Sequence, residues 1–381
     1  MIYFDNNATT LPAPEVFEAM RPFLTDAYGN PSSAYGFGRE ARQIVEKSRE
    51  SVASLVGARR ADEIIFTSGG TESDNWAILG TLEASPEKKH VVTTRVEHEA
   101  VRKLCEKLER NGFEVTWLDV DEDGALDLDV LAGSLRADTA LVSVMLANNE
   151  TGILFPVAEI AGLVKSRSAA AFHVDGVNAA GKIPIDLKTT EIDLFSLSGH
   201  KFHGPKGTGA LYVRDGLRLP PWLIGGGQER ARRAGTEAVH QLAGLGKAAE
   251  LAANFSPMDE VFALRNRLEN EILKKIPNSR LNGTPDYAKR LPNTASISFE
   301  NTNGEAILAR LDARGVCVST GSACNAENHV ASAVLAAMNV PYSRAMGAIR
   351  FSLGRYNTAA EVDEVLHILP EIVGELHALA A

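Results

Sequence analysis

Four short stretches carry side chains whose types and spacing could do chemistry. The richest is Ser196-Leu197-Ser198-Gly199-His200-Lys201-Phe202-His203-Gly204-Pro205. A lysine in a loop after an apolar strand can form a Schiff base with an aldehyde once its pKa is lowered. Ser198 and His200 could donate to a phosphate. The plainer reading of Lys201 is a surface lysine. A metal site from His200 and His203 is disfavoured, because no Cys or carboxylate ligand stands beside them. The second stretch, Phe172-His173-Val174-Asp175, is a β-rich run ending in an acid. A carboxylate buried at a strand end needs a partner. The protonated ring nitrogen of a bound heterocycle would serve; a structural ion pair or a turn cap is the bland alternative.

The third stretch, Phe66-Thr67-Ser68-Gly69-Gly70-Thr71-Glu72-Ser73, reads as a strand, a glycine turn and a hydroxyl residue opening a helix. Free N–H groups and the dipole at such a start bind phosphate. Gly70 lets the backbone approach and Thr71 adds a hydroxyl, although a plain N-cap would look the same. The fourth stretch runs from Val316 to Asn328 and holds two cysteines. Cys317, in a β-branched run, reads as a small core residue. Cys324, among small and polar residues, reads as a loop thiol, and exposure near positive charge makes a thiol reactive. Cys105 shares a helical stripe with Val101, Leu104 and Leu108 and reads as core. Gly176-Val177-Asn178-Ala179-Ala180-Gly181-Lys182-Ile183 matches a P-loop up to its last position. There Ile183 replaces the hydroxyl that Mg²⁺ needs and Pro184 follows where a helix should run, so ATP binding is rejected.

These residues are far apart in sequence, so a frame must gather them. Short β-rich runs alternate with amphipathic stretches. Strands are expected at Glu63 to Thr67, His90 to Thr94, Glu114 to Leu118, Leu141 to Leu146, Ala171 to Val174, Leu194 to Ser196, Gly209 to Val213 and Trp222 to Ile224. Helices are expected at Pro14 to Leu24, Gly38 to Val56, Glu72 to Glu83, Ala100 to Asn111 and Val157 to Arg167. Such alternation predicts an α/β fold, a mostly parallel sheet flanked by helices. Functional residues then belong in the loops at the carboxyl ends of strands. Ser256-Pro257 breaks a long helical stretch and marks a boundary. Beyond it, strands near Ala295 to Phe299, Val316 to Ser319 and Ile349 to Ser352, with helices near Glu305 to Arg314 and from Thr358, suggest a smaller α+β domain.

Composition narrows the class. A chain of 381 residues with 45% hydrophobic and 23% charged residues is a folded globular protein of about two domains. A net charge of −10 argues against a nucleic-acid or anionic-membrane binder. Three cysteines fit a reducing compartment rather than a disulfide framework. No basic-then-apolar leader opens the sequence, and no apolar run approaches the roughly 18 residues of a membrane span. A cytoplasmic protein is expected.

Thr71, Asp175, Lys201 and Cys324 fall in one order along the chain. With them stand Tyr3-Phe4-Asp5-Asn6-Asn7-Ala8-Thr9-Thr10, Val96-Glu97-His98, Ala147-Asn148-Asn149-Glu150-Thr151-Gly152, Gly225-Gly226-Gly227-Gln228-Glu229-Arg230 and Ile349-Arg350-Phe351-Ser352-Leu353-Gly354-Arg355. Together they resemble the cysteine desulfurases of the NifS/IscS type, pyridoxal 5'-phosphate (PLP) enzymes of the class V aminotransferase family. The resemblance implies the PLP-dependent transferase type I fold. Its large PLP-binding domain, with a seven-stranded sheet, would be residues 15–256, and its small domain residues 1–14 and 257–381. It implies a homodimer that takes sulfur from L-cysteine, releases L-alanine and leaves a persulfide on Cys324. That sulfur would pass to an acceptor protein, such as an iron–sulfur scaffold, or to a thiolation pathway.

By the same resemblance Lys201 carries the cofactor, Asp175 pairs with its ring nitrogen, and His98 stacks on the ring and shuttles protons. Gly70, Thr71, Ser198 and His200 hold the phosphate, and Thr236 reaches the phosphate of the neighbouring subunit. Asn7, Asn149 and Arg350 bind substrate, the guanidinium fork of Arg350 suiting a carboxylate. Three departures stand out. Asn178 replaces the glutamine that usually bonds the phenolate oxygen of PLP, Gly176 and Gly70 replace alanines, and the residues after Cys324 lack the usual Leu-Glu-Pro signature, which leaves the acceptor open. Rival readings are a selenocysteine lyase, another class V aminotransferase or lyase, and a non-catalytic sulfur-assembly scaffold.

Overall fold

A computed structural model describes residues 1–320 and 331–380, so Cys324 lies outside the described residues. The chain opens with the short strand β1 (Ile2–Tyr3). Seven strands then build the main sheet: β2 (Ile64–Thr67), β3 (His90–Thr94), β4 (Glu114–Leu118), β5 (Thr139–Ser143), β6 (Ala171–Asp175), β7 (Leu194–Ser198) and β8 (Gly209–Val213). Their order is β2-β8-β7-β6-β5-β3-β4, and only β8 runs against its neighbours. Strands β3, β5, β6, β7 and β8 are buried at every position, because helices cover both faces of the sheet.

The strand period of two divides the core. Ile64, Phe66, Val92 and Phe172 face one layer, against Val45 and Val52 of the Gly36–Leu55 helix and Leu245 and Ala249 of the Val239–Ala252 helix. Ile65, Val91, Leu141 and Ala171 face the other, against Trp76 and Ile78 of the Gly70–Ala84 helix and Val101 and Leu104 of the Glu99–Arg110 helix. Polar residues inside the sheet satisfy one another. His173 in β6 is bonded to Ser143 of β5 and Ser196 of β7, each at 2.9 Å. Burial drives its pKa down to about 3, so the ring is a neutral bridge.

A second core lies in the remainder of the chain. It is built on β9 (Ser279–Leu281), β10 (Thr294–Phe299), β11 (Val316–Cys317) and β12 (Ala348–Ser352). Strands β9, β10 and β12 form an antiparallel sheet, and β11 pairs in parallel with β1. Leu268 of the Pro257–Lys275 helix and Leu369 of the Ala359–Ala380 helix pack there with Ile297, Phe351 and the N-terminal Phe4. Among the described residues no helix is long and apolar enough to cross a membrane.

Several local expectations are corrected. Trp222 to Ile224 is not a strand: Leu223 makes one bridge to Arg233 and Ile224 is 95% exposed. Pro220 and Pro221 before it have no N–H to donate to a ladder, and the three glycines after it weaken an extended run. The Pro14 to Leu24 helix divides into Pro14–Met20 and Pro22–Thr25, because Pro22 restarts it. The strand at Val316 is two residues long and leaves Cys317 half-buried rather than in the core.

Gly176 leaves room for a neighbour: a Cβ there would stand 1.8 Å from Cζ of Phe195 in β7. The missing methyl and the large neighbouring ring are one packing solution. Gly176→Ala should therefore destabilise the protein by about 1–3 kcal/mol. Combined with Phe195→Leu, the total loss in thermal unfolding should be smaller than the two single losses added, since the sites share one volume.

Candidate active site

Five loops at the carboxyl ends of β2, β3, β5, β6 and β7 converge on one pocket of about 240 Å³. Its walls include Gly70, Thr71, His98, Asn149, Asp175 and Asn178. Ser198, His200 and Lys201 line it as well. Parallel strands put every one of these loops on the same side of the sheet, which is why residues so far apart in sequence meet.

Lys201 sits in a 3-10 turn that follows β7 directly. Its Nζ donates to the carbonyl of Asn7 and, at 3.1 Å, to that of Ala8. Burial, aided by the positive charge of Arg350, lowers its pKa to about 8. Asp175 ends β6 and is 5% exposed. Its Oδ1 accepts from the backbone N–H of Val177 at 2.9 Å, yet burial still raises its pKa. A buried acid of that kind gains most from a cation placed against it.

The Gly70–Ala84 helix begins at the pocket without a side-chain cap. Gly69 before it has φ +154°, a conformation that residues with a Cβ rarely adopt. The opening N–H groups are left for an anion, with the hydroxyls of Thr71 and Ser198 beside them. His200 bonds Thr9 Oγ1 at 3.1 Å, and burial lowers its pKa to about 4, so it meets an anion as a neutral donor. His98 caps the Glu99–Arg110 helix: its Nδ1 accepts from Ala100 N at 3.1 Å. In the neutral ring the proton is therefore on Nε2.

Arg350 and Asn7 join the site at its edge. Arg350 pairs with Asp5 at 2.6 Å and donates to the carbonyl of Asn149 at 2.9 Å, and its buried Nε has no partner among the described residues. Asn7 Nδ2 donates to that same carbonyl at 3.1 Å. Two expected residues are not brought in. Thr236 is exposed and outside the lining of this chain's pocket, and Cys324 lies outside the described residues. The residues flanking that segment are anchored beside the site. Ser319 exchanges backbone bonds with Arg350 at 3.2 and 2.7 Å, and Ser332 caps the Ala333–Ala337 helix while donating to Glu150.

Three buried groups escaped sequence reasoning. Asp74 lines the pocket with Oδ1 unpaired, 3.5 Å from His173 Nε2. Burial and the neighbouring Asp175 push its pKa well up. Glu97 accepts from Thr94 and from Met145 N, leaves Oε2 unpaired, and is raised to about 8 by burial. Lys182 is buried against Asn7 and Asn178. The only sequence signals were an acid on a buried helix face, an acid inside a longer motif and a lysine in a rejected P-loop. Among the described residues, no group of three or more His, Cys, Asp or Glu could hold a metal ion.

The donor set fits PLP group by group. Lys201 offers an amine for its aldehyde, Asp175 a buried acid for its ring nitrogen, and the uncapped helix start with Thr71, Ser198 and His200 a cradle for its phosphate. The lowered pKa of Lys201 gives a direct test. Only the neutral amine attacks an aldehyde. PLP capture by the apoprotein should accelerate about tenfold per pH unit and level off near pH 8. With an ordinary lysine it would keep rising to about pH 10.4. Stopped-flow absorbance reads the difference.

Comparison with known proteins agrees with this geometry. The family described as "Aminotransferase class-V" matches residues 2–365. A protein named "Cysteine desulfurase" from Trichormus azollae is 53% identical over 382 aligned residues, covering 100% of this chain and 94% of the relative. A solved "NIFS-LIKE PROTEIN" superposes with a TM-score of 0.92 at 40% identity, over 98% of this chain and all of that one. A structure described as "SspA in complex with cysteine" has a TM-score of 0.82 at 34% identity, over 94% of this chain and 100% of that one. With the loops, the amine and the acid in these positions, and with likeness along nearly its whole length, the chain belongs to the class V aminotransferase family of PLP-dependent enzymes.

Proposed function

We propose that this protein is a cysteine desulfurase, which takes sulfur from L-cysteine, releases L-alanine and carries the sulfur as a persulfide on Cys324. The observation that carries the reading is the shared pocket of Lys201 and Asp175, with Arg350 bonded to its Asn149 wall. PLP, when bound, takes up the electron pair left on the substrate's α-carbon. The chain's own residues do the rest. Arg350, with its unpaired Nε, binds the carboxylate, with Asn7 and Asn149 at its side. Lys201, whose amine titrates near neutrality, removes the α-proton and returns it. His98 offers Nε2–H as a second proton carrier and, lining the pocket, would lie against the ring of the bound cofactor.

The Cys324 thiolate attacks the substrate sulfur. A sulfur–sulfur bond forms, the carbon–sulfur bond breaks, and the carbon gains the proton that makes alanine. The anchors at Ser319 and Ser332 support this role, since both ends of the segment that holds Cys324 start from the substrate side of the pocket. The catalytic residues are thus Lys201, His98 and Cys324. Gly70, Thr71, Asp175, Asn178, Ser198 and His200 hold the cofactor.

The packing favours a large PLP-binding body over residues 15–256 and a small one from residues 1–14 and 257–381, because Phe4 and β1 join the second core. A second copy of the chain would bring Thr236 to a neighbouring phosphate. Exposed apolar side chains at Leu11, Phe17, Tyr28 and Ile224 are surface that such a copy could cover. The acidic chain with free thiols suits a cytoplasmic enzyme serving an acceptor protein, such as an iron–sulfur scaffold.

Incubation of the PLP-loaded enzyme with L-cysteine should yield alanine, with one added sulfur on Cys324 by mass spectrometry. Cys324→Ala should keep the visible cofactor band and lose sulfur transfer to background; full turnover in that variant overturns the thiol mechanism. Arg350→Gln should raise KM about ten- to a hundredfold, the loss of a charged hydrogen bond to the carboxylate.

A further inference from the structure

Lys182 is a buried amine for which the mechanism above has no use; burial, with the charges of Lys201 and Arg350, holds its pKa well below the usual lysine range. It lies in the turn after β6 and is 7% exposed. Its Nζ donates to Asn178 Oδ1 at 2.7 Å and to Asn7 Oδ1 at 2.9 Å. Both acceptors are neutral amides, and no carboxylate is paired with Lys182 among the ion pairs of the described residues. The charged groups that act on it, Lys201 and Arg350, are cations and repel it. A lysine buried among like charges weakens the fold unless it gives something back.

What it gives is an orientation. A side-chain amide has an oxygen on one branch and an NH2 on the other, with nearly the same shape. Lys182 donates, so it selects the oxygen of Asn178. Among the described residues the NH2 is left with only the carbonyl of Asn148, at a long 3.4 Å. Asn178 lines the pocket beside Asp175 and Lys201, so an N–H with no strong protein acceptor stands at the cofactor site. The resemblance to the cysteine desulfurases implies what that N–H meets: the residue at position 178 bonds the ring (phenolate) oxygen of PLP, the polar atom not matched by Asp175, the uncapped helix start or Lys201.

We propose that Lys182 is a positioning residue: by bonding the oxygen of Asn178 it turns the amide so that the NH2 is offered to the ring oxygen of bound PLP. This rests on the reading that PLP occupies the pocket. The same amine bonds Asn7, whose Nδ2 donates to Asn149 O and to Thr294 Oγ1 and whose backbone carbonyl accepts from Lys201. Lys182 therefore braces the residues on both sides of the reactive lysine.

The readout is the pH midpoint of the visible absorption change of the PLP-loaded protein. Losing an N–H donor to an anionic oxygen makes that oxygen hold its shared proton more tightly, so the midpoint rises. Lys182→Met should raise it by about one pH unit, the size of one hydrogen bond to a charged acceptor. Asn178→Leu should raise it alike, and the double variant no further, since the two act as one unit. Lys182→Gln, neutral but still a donor, should keep the midpoint close to that of the parent protein. An unmoved midpoint in Lys182→Met, or an additive shift in the double variant, overturns the inference. If Lys182→Met does not fold, Lys182→Gln decides: a retained midpoint supports orientation by a donor, and a rise of about one unit refutes it. A parent protein with no visible band on PLP addition would instead refute the reading of the pocket itself.

Discussion

An amine that must attack carbon at neutral pH has to be taken out of water, and an amine out of water has to be held by something other than a full counter-charge. Lys201 meets both demands. It is held by the carbonyls of Asn7 and Ala8, and Asp175 lines the same pocket without pairing directly with it. Carbonyl dipoles hold the ammonium weakly enough for burial to bring its pKa to about 8. A salt bridge in their place would lock the proton on. The N-terminal arm, far from Lys201 in sequence, is therefore part of the site: Asn7 and Ala8 supply these carbonyls, while Phe4 in the second core fixes where they stand.

Charge balance in the pocket follows from the same constraint. Asp74, Glu97 and Asp175 are all buried nearby, and like charges so placed cannot all ionise. Asp74 and Glu97 are pushed toward the neutral form, Glu97 to about 8. Asp175 is the acid with His98 and Lys201 as favourable charges, in addition to a backbone N–H on one oxygen, so it is the one best able to carry the negative charge. Beneath it the neutral His173, clamped by Ser143 and Ser196, ties three neighbouring strands at the depth where Asp175 leaves the sheet.

The two cores meet at Arg350. It belongs to β12 of the second sheet, bonds Asp5 of the N-terminal arm, and shares the Asn149 carbonyl with Asn7. The backbone leading toward Cys324 is bonded to the same arginine through Ser319. On the proposed reading, the arginine that would bind the substrate carboxylate is thus also the residue whose backbone anchors Ser319.

The primary structure on its own determined the alternation of strands and helices, because period and turn residues are local. It also determined Thr71, Asp175 and Lys201 as candidates, because each ends an apolar run or stands in the short glycine-containing turn after one. Tertiary structure alone decided the rest. The glycine at 176 could not be read as space for Phe195, since the two meet only when β6 and β7 pair. Trp222 to Ile224 had strand composition but no strand to pair with. Lys182 looked like a failed phosphate loop until Asn7, from the N-terminal arm, arrived beside it. The physical reason is common to all three: burial and hydrogen bonding depend on partners distant along the chain, and no local pattern encodes which partner will come.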